Sequence, residues 1–208
     1  YTSPQPNTFN ADLLNPANPM ITFFAAGAYH NVIITGMGKI MAWGWNGYGQ
    51  LGTYINQPTY GLPTHPADST QRNLPTAVHF NNANLASKMY VYAAAGTFHS
   101  AAMDTDGNVY TWGNNYEGQL CSGNLKNVDF PNPINVKPTD DNGTPIPGAR
   151  WVQIEMGSEH TILLANTGEV YACGSNRMYQ LGRPRFYPDN GGTVSSCPSD
   201  KTPEGCPT

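Results

Sequence analysis

The chain has 208 residues and a net charge of −4, and only 12% of its residues are charged, roughly half the usual share. Lys and Arg form no cluster, which argues against a nucleic-acid partner, because such a partner requires a basic face that neutralises phosphates. Long apolar runs are absent as well, so membrane insertion is not expected. The length suits one domain with a small appendage.

The N-terminal stretch, residues 1–20, is rich in proline and asparagine and holds one apolar pair, Leu13 and Leu14. This composition favours an extended backbone and offers little to a packed core. The prediction for this stretch is an extended arm.

From residue 21 to residue 182, one pattern of Gly, His, Trp-Gly and Leu occurs three times. The Trp or Cys stands 13 residues after the His in each copy, and no insertion interrupts any of them. The positions are Gly27, His30, Trp43, Gly44 and Leu51, then Gly96, His99, Trp112, Gly113 and Leu120, then Gly157, His160, Cys173, Gly174 and Leu181. A fixed core with variable spacers indicates repeats, which we place at residues 21–80, 88–136 and 150–182.

Each copy is predicted to contain three short antiparallel strands. The runs around the His are four to six residues long and rich in aromatic and β-branched types, which is typical of strands. Hairpin turns are expected at Gly36–Gly38, Asp106–Gly107 and Thr167–Gly168, because Gly supplies the positive φ that tight turns need. A fourth strand is expected at Thr76–Phe80 and at Ile134–Val136. Trp43, Trp112 and Cys173 are expected to be largely buried.

The order Gly-x-x-His-Ser/Thr, Gly-x-Val-Tyr-x-Trp-Gly-x-Asn and Gly-Gln-Leu-Gly resembles the regulator of chromosome condensation repeat. The middle copy matches almost throughout, with Cys121 in place of the last Gly, whereas Cys173 stands at the Trp position of the third copy. The resemblance covers about residues 21–182 and implies propeller blades. The predicted fold is therefore all-β: a partial β-propeller of three antiparallel blades, with the Pro-rich arm and a Cys-bearing tail.

Three repeats do not close a ring, since propellers have typically about four to eight blades. We therefore expect a protein partner: either the remaining blades of a longer chain, of which this sequence is a part, or neighbouring copies.

The four cysteines divide into two groups. Cys197 and Cys206 lie in an irregular tail, residues 183–208, which lacks apolar runs and resembles the start of a Cys-rich module. We expect a disulfide between them. Cys121 and Cys173 lie within repeats, where they either pair between neighbouring blades or remain buried free thiols. Asn142 begins the one N-glycosylation sequon, in a polar loop where a glycan could be attached.

The recurring histidines are interpreted as structural rather than metal-binding, each imidazole bonding to backbone near a blade turn. The run from Asp104 to Asn108 resembles the opening of a calcium loop, but the twelfth position is Asn115 instead of Glu. A hairpin turn is the better interpretation. No metal, cofactor or catalytic residue is predicted, because no nucleophile or phosphate-binding motif is present.

Two functions remain. The first is a non-enzymatic structural or protein-interaction module in an extracellular or cell-surface assembly, such as a filament or appendage, with attached glycans. It depends on the cysteines, the sequon and the low charge. The second is guanine-nucleotide exchange on a small GTPase, which the resemblance implies for the founding family member. No exchange-specific residue can be assigned in this sequence.

Overall fold

The computed structural model describes residues 21–53, 71–133, 137–138 and 144–182, together with Ser3. The predictions made for the arm, for Asn142 and for the tail with Cys197 and Cys206 lie outside these residues.

The described residues form three antiparallel sheets, one for each repeat. In the first sheet, strands β1 (Ile21–Ala26), β2 (His30–Thr35), β3 (Ile40–Gly44) and β4 (Arg72–Ala77) lie side by side in chain order. The second sheet has β5 (Tyr90–Ala95), β6 (His99–Asp104), β7 (Val109–Gly113) and β8 (Val128–Pro133) in the same order. The third has β9 (Trp151–Met156), β10 (His160–Ala165) and β11 (Val170–Gly174). This confirms the all-β, three-bladed fold.

The hairpins between the second and third strands of each blade lie where the sequence predicts them. Gly38, Gly107 and Gly168 have φ values of +68°, +78° and +97° in these turns. Side chains other than Gly rarely adopt this region. The equal spacing of His and Gly therefore results from one hairpin built three times.

The fourth strand of the first blade lies earlier in the chain than we predicted. It covers Arg72–Ala77 instead of Thr76–Phe80. The prediction begins the strand after Pro75, but proline is tolerated in a strand at the edge of a sheet. The second blade has its fourth strand at Val128–Pro133, and the strand predicted at Ile134–Val136 lies outside the described residues. Each of these strands is an edge, with one neighbour, β3 or β7.

The hydrophobic core lies between adjacent blades. One cluster joins Val32, Ile34, Ile40, Ala42 and Leu51 of the first blade to Tyr90, Ala93, Ala102, Tyr110 and Trp112 of the second. A second cluster joins Ala94, Ala101, Met103 and Val109 to Trp151, Ile154, Leu163 and Ala165 of the third. A single sheet cannot bury its own faces, so each blade is stabilised by its neighbour.

The chain connects the first two blades through a short helix, α1 (Ala83–Ala86), which the sequence analysis did not predict. The side chain of Asn82 caps it by accepting a hydrogen bond from the backbone N–H of Asn84 at 2.8 Å. Within the described ranges, no helix is long and apolar enough to span a membrane.

Candidate functional site

The repeat residues meet at the joints between blades. At the first joint, Nε2 of His30 lies 2.7 Å from Oγ of Ser100 in the next blade. The hydroxyl of Ser100 donates to the backbone carbonyl of Gln50 at 2.7 Å, and Nε1–H of Trp112 donates to the same carbonyl at 2.8 Å. One carbonyl of the first blade thus accepts two hydrogen bonds from the second.

The second joint repeats this arrangement with two replacements, Thr161 for Ser100 and Cys173 for Trp112. Nε2 of His99 lies 3.1 Å from Oγ1 of Thr161, whose hydroxyl donates to the carbonyl of Gln119 at 2.7 Å. At the tryptophan position, Cys173 forms a disulfide with Cys121. Of the two alternatives for these cysteines, the structure has the pairing between neighbouring blades.

The histidine–hydroxyl pairs do not form a nucleophile and base. The hydroxyl hydrogen of Ser100 points to Gln50, so the hydrogen between the two side chains must be carried by Nε2 of His30. The histidine then donates to the hydroxyl and cannot remove its proton. Both residues are completely buried, which fits a structural role.

Burial keeps these two histidines neutral. It lowers the pKa of His30 from its ordinary value of 6.5 to about 4. For His99, burial is again the main cause, supported by repulsion from His30, and the pKa falls to about 3. Charging either ring would place an ion in an apolar joint.

We predicted that each imidazole bonds to backbone near a blade turn, and for His30 and His99 this partner is wrong. His30 and His99 bond instead to hydroxyls of the following blade. Ser100 and Thr161 follow His99 and His160 directly in the sequence. The repeat motif His-Ser/Thr therefore supplies both halves of the joint: the histidine faces one neighbour and the hydroxyl faces the other.

The three positions predicted to be buried differ in exposure. Trp112 is completely buried, whereas Trp43 and Cys173 are half-buried. Trp112 thus meets the prediction fully, while Trp43 and Cys173 are buried for the larger part and keep some exposure. Trp43 belongs to the first described blade, so its indole has no preceding blade among the described residues to pack against. Cys173 is too small to fill the space of an indole.

The repeat glycines allow the backbones to approach closely. Gly44, Gly113 and Gly174 have φ values between +106° and +114°. A Cβ on Gly27 would lie 2.4 Å from the carbonyl oxygen of Gly96, and one on Gly96 would lie 2.7 Å from that of Gly157. These contacts lie where successive blades meet.

The third blade presents the same residue types without a described neighbour. Val109 is 1% exposed and Val170, at the equivalent position, is 64% exposed. His160 and Leu181 are half-buried, although their counterparts in the first two blades are completely buried. A Cβ on Gly168 would contact nothing within 4 Å, while one on Gly107 would lie 2.8 Å from the carbonyl oxygen of Trp151. We call this surface, lined by His160, Gly168, Val170 and Leu181, the outgoing face.

The run from Asp104 to Asn108, which resembles a calcium loop in sequence, forms a hairpin turn. Asp104 accepts hydrogen bonds from the backbone N–H groups of Asp106 and Asn108, and from the side chains of Lys88 at 2.6 Å and Tyr110 at 2.9 Å. Burial alone would raise the pKa of Asp104, but these hydrogen bonds outweigh it and hold the pKa below its ordinary value. Across the described ranges, no group of three His, Cys, Asp or Glu side chains is placed to hold a metal ion.

Sequence reasoning missed one feature, an aromatic cluster that spans the first two blades. Tyr29 stacks on Phe98 at 5.4 Å between ring centroids, and Phe98 also contacts Trp45 and Tyr48 at 5.1 Å. Tyr116 touches Tyr48 at 5.9 Å. Tyr29 and Phe98 share one repeat position, directly before the His, but the other rings come from different positions and the third copy has Glu159 there, so the repeat spacing alone does not reveal the cluster.

The fold and its joints define a repeat-built β-propeller segment. The chain belongs to the regulator of chromosome condensation (RCC1) repeat family, whose model matches residues 37–103 and 106–164. A second model of the same repeat matches residues 21–50, 91–119 and 151–180, one segment in each blade.

Three comparisons illustrate the relationship. The chain is 30% identical over 158 residues to Alsin from Pan troglodytes, which covers 76% of this chain and 8% of Alsin. It is 27% identical over 194 residues to the X-linked retinitis pigmentosa GTPase regulator homolog from Caenorhabditis elegans, covering 80% of this chain and 13% of that protein. Among solved structures, human WBSCR16 superimposes with a TM-score of 0.63 at 24% identity, covering 85% of this chain and 39% of that one. The chain thus spans a small part of these relatives.

Proposed function

We propose that this chain is a non-enzymatic protein-interaction segment of a propeller, and that its outgoing face binds a further blade. The single observation that supports this most directly is the contrast between Val109 and Val170, which are 1% and 64% exposed at the same repeat position. Val170 is an exposed apolar side chain at a repeat position that is buried in the second blade, and exposed apolar surface of this kind marks an interaction site.

The chemistry of the partner follows from the two joints already formed. Each joint pairs a histidine and a glutamine carbonyl on one side with a hydroxyl on the other. His160 and Gln180 provide the first half on the outgoing face. The partner would therefore present a Ser, Thr or Asn beside an apolar or aromatic side chain, on a β-sheet.

The first blade of a neighbouring copy meets this description. In the register of β2 and β3, Asn31 pairs with Trp43, as Ser100 pairs with Trp112 in the second blade. The amide of Asn31 can both donate and accept, as the hydroxyl of Ser100 does. Head-to-tail contacts of this kind propagate when the rotation does not close, which supports a filament or appendage. The remaining blades of a longer chain would use the same face.

The oligomeric state tests this proposal. Light scattering on this 208-residue chain should give a mass above 22.5 kDa, the mass of one copy. Val170→Glu should weaken the association, since it places a charge in the joint. Val91→Glu, at a 44% exposed position of β5, is the matched control and should leave it unchanged. A folded, monodisperse particle near 22.5 kDa at every concentration would contradict the proposal.

We further propose an extracellular or cell-surface location. The disulfide between Cys121 and Cys173 supports it, because disulfides persist in oxidising compartments and are rare in the cytosol. The low share of charged residues and the sequon at Asn142 are consistent with it. Alkylation of free thiols before lysis, followed by mass spectrometry, should find Cys121 and Cys173 unmodified and Asn142 carrying a glycan. Alkylated Cys121 and Cys173 in freshly lysed cells would argue for a reducing compartment.

Regulation of a small GTPase is the second candidate. The name of the Caenorhabditis elegans relative, a GTPase regulator homolog, favours it. Release of a fluorescent guanine nucleotide from small GTPases, with and without this chain, is the measurement that would distinguish it from a structural role. Acceleration that survives Val170→Glu would favour this candidate over the interaction module.

A further inference from the structure

One difference between the two described joints lies at a pair of repeat positions that contact each other. Across the first joint, Gly52 faces the indole of Trp112, and a Cβ on Gly52 would lie 2.9 Å from Nε1. Across the second joint, the equivalent residues are Cys121 and Cys173, which form a disulfide. Both members of the pair therefore differ between the joints: the first joint combines a tryptophan with a glycine, and the second combines two cysteines.

The backbone retains the geometry of the glycine. Gly52 has a φ of +62°, and Cys121 has a φ of +53°, one of two positive values among the described residues other than glycine. Gly182, at the same position of the third blade, has a φ of +69°. A side chain in this region is strained and persists when its surroundings fix it. The cysteine thus occupies a position shaped for glycine.

The covalent bond takes the place of several noncovalent contacts. Trp112 fills the first joint and donates to the carbonyl of Gln50. A disulfide sulfur carries no hydrogen, so Cys173 cannot provide the equivalent hydrogen bond to Gln119. The second joint keeps the His99–Thr161 contact and its hydrophobic cluster. It also has the Arg177–Glu117 ion pair, which is largely exposed. Exposed ion pairs contribute little to stability.

We propose that the Cys121–Cys173 disulfide is a covalent substitute for the Trp–Gly contact, and that its reduction loosens the third blade from the second. A dithiol reductant would supply two electrons and two protons, which gives two thiols and converts the reductant to its own disulfide. Both cysteines are half-buried, so a reductant can reach them. Two thiols do not fill the volume of an indole, and the joint is left underpacked.

Hydrogen exchange on the full chain tests this inference independently of the proposed function. Reduction by a dithiol should accelerate amide exchange in β9, β10 and β11 by about tenfold or more, the scale of losing one cross-link. Exchange in β2 and β3 should change far less, because these strands contribute to the first joint, which holds no disulfide. A Cys197→Ser/Cys206→Ser variant controls for the tail cysteines and should respond in the same way.

Two double variants test whether the disulfide replaces the Trp–Gly contact or only cross-links the two blades. Cys121→Gly/Cys173→Trp recreates the first joint at the second and should protect the third blade with or without reductant. Cys121→Ser/Cys173→Ser should exchange like the reduced chain. Equal exchange in the third blade of oxidised and reduced chains would overturn the inference. So would a Gly/Trp variant that is no better protected than the Ser/Ser variant, or that fails to fold where the latter folds.

Discussion

The imidazole of His30 in the first blade lies 2.7 Å from the hydroxyl of Ser100 in the second, and both side chains are completely buried. The hydroxyl in turn donates to the carbonyl of Gln50. This short relay links the blades without an ion, because the buried histidine stays neutral. It is also repeated, since His99 and Thr161 form the same relay one blade further along.

Removing the hydroxyl of Ser100 should show how much this relay contributes to stability. In Ser100→Ala, the N–H of His30 loses its acceptor and the carbonyl of Gln50 loses one of its two donors, while both remain buried. We expect the free energy of unfolding to fall by about 1–3 kcal/mol, the usual cost of leaving a buried polar group unsatisfied. Ser87→Ala, an exposed serine beside α1, is the control for urea unfolding. Equal losses in the two variants would contradict the relay.

The buried histidines predict a loss of stability in acid. The pKa values of His30 and His99 are about 4 and about 3 in the folded chain, below the ordinary value of 6.5. Below pH 6.5 the unfolded chain therefore takes up protons that the folded chain does not, and the free energy of unfolding falls as the pH drops towards 4. The slope approaches ~1.4 kcal/mol per pH unit for each histidine.

Substitution can assign that slope. His30→Gln should be less stable at pH 7 but lose less further stability between pH 6.5 and pH 4, measured by urea unfolding at each pH. His79→Gln, at an exposed site, should keep the full dependence. The lowered pKa of Asp104 adds a further loss of stability only as the pH approaches its ordinary value of 3.8, below about pH 5, so the slope between pH 6.5 and about pH 5 is the one that reports His30. An unchanged slope in His30→Gln would show that protonation occurs elsewhere.

The repeat spacing is sufficient to predict the blades but not the joints. The offsets from His to Gly and from His to Trp record strand and hairpin lengths within one sheet, so they predicted the strands and turns correctly. The partner of His30 lies 70 residues away, and no local pattern indicates which blade supplies it. The fourth strand of the first blade was predicted too late in the chain for a related reason: proline is disfavoured inside most strands, but an edge strand tolerates Pro75.

Truncating the indole at the first joint should destabilise the chain strongly. Trp112→Ala removes a completely buried side chain and its hydrogen bond to Gln50. We expect a loss of about 3–5 kcal/mol, the range for large-to-small substitutions of buried aromatic residues. Trp43 occupies the equivalent position in the first blade but is half-buried, so Trp43→Ala should lower the free energy of unfolding by less. Thermal or urea unfolding compares the two variants directly, and a larger loss for Trp43→Ala would reverse our assignment of the first joint.

A matched pair of glycines separates backbone strain from packing. Gly52 and Gly182 occupy the same repeat position with φ values of +62° and +69°, so an alanine at either site meets similar strain, about 1–2 kcal/mol. The surroundings differ. A Cβ on Gly52 would lie 2.9 Å from Nε1 of Trp112 and 3.0 Å from a methyl of Val78, whereas one on Gly182 would meet nothing within 4 Å.

Gly52→Ala should therefore lose more free energy of unfolding than Gly182→Ala, by an additional 1–3 kcal/mol or so, the range for forcing extra atoms into a packed core. The cause is specific, because the methyl group displaces the indole on which the first joint depends. Combining Gly52→Ala with Trp112→Ala should remove most of that additional cost, since the clashing atoms are gone. Urea unfolding of the four variants gives the coupling energy. Strictly additive losses would show that Gly52 and Trp112 do not form one packing unit.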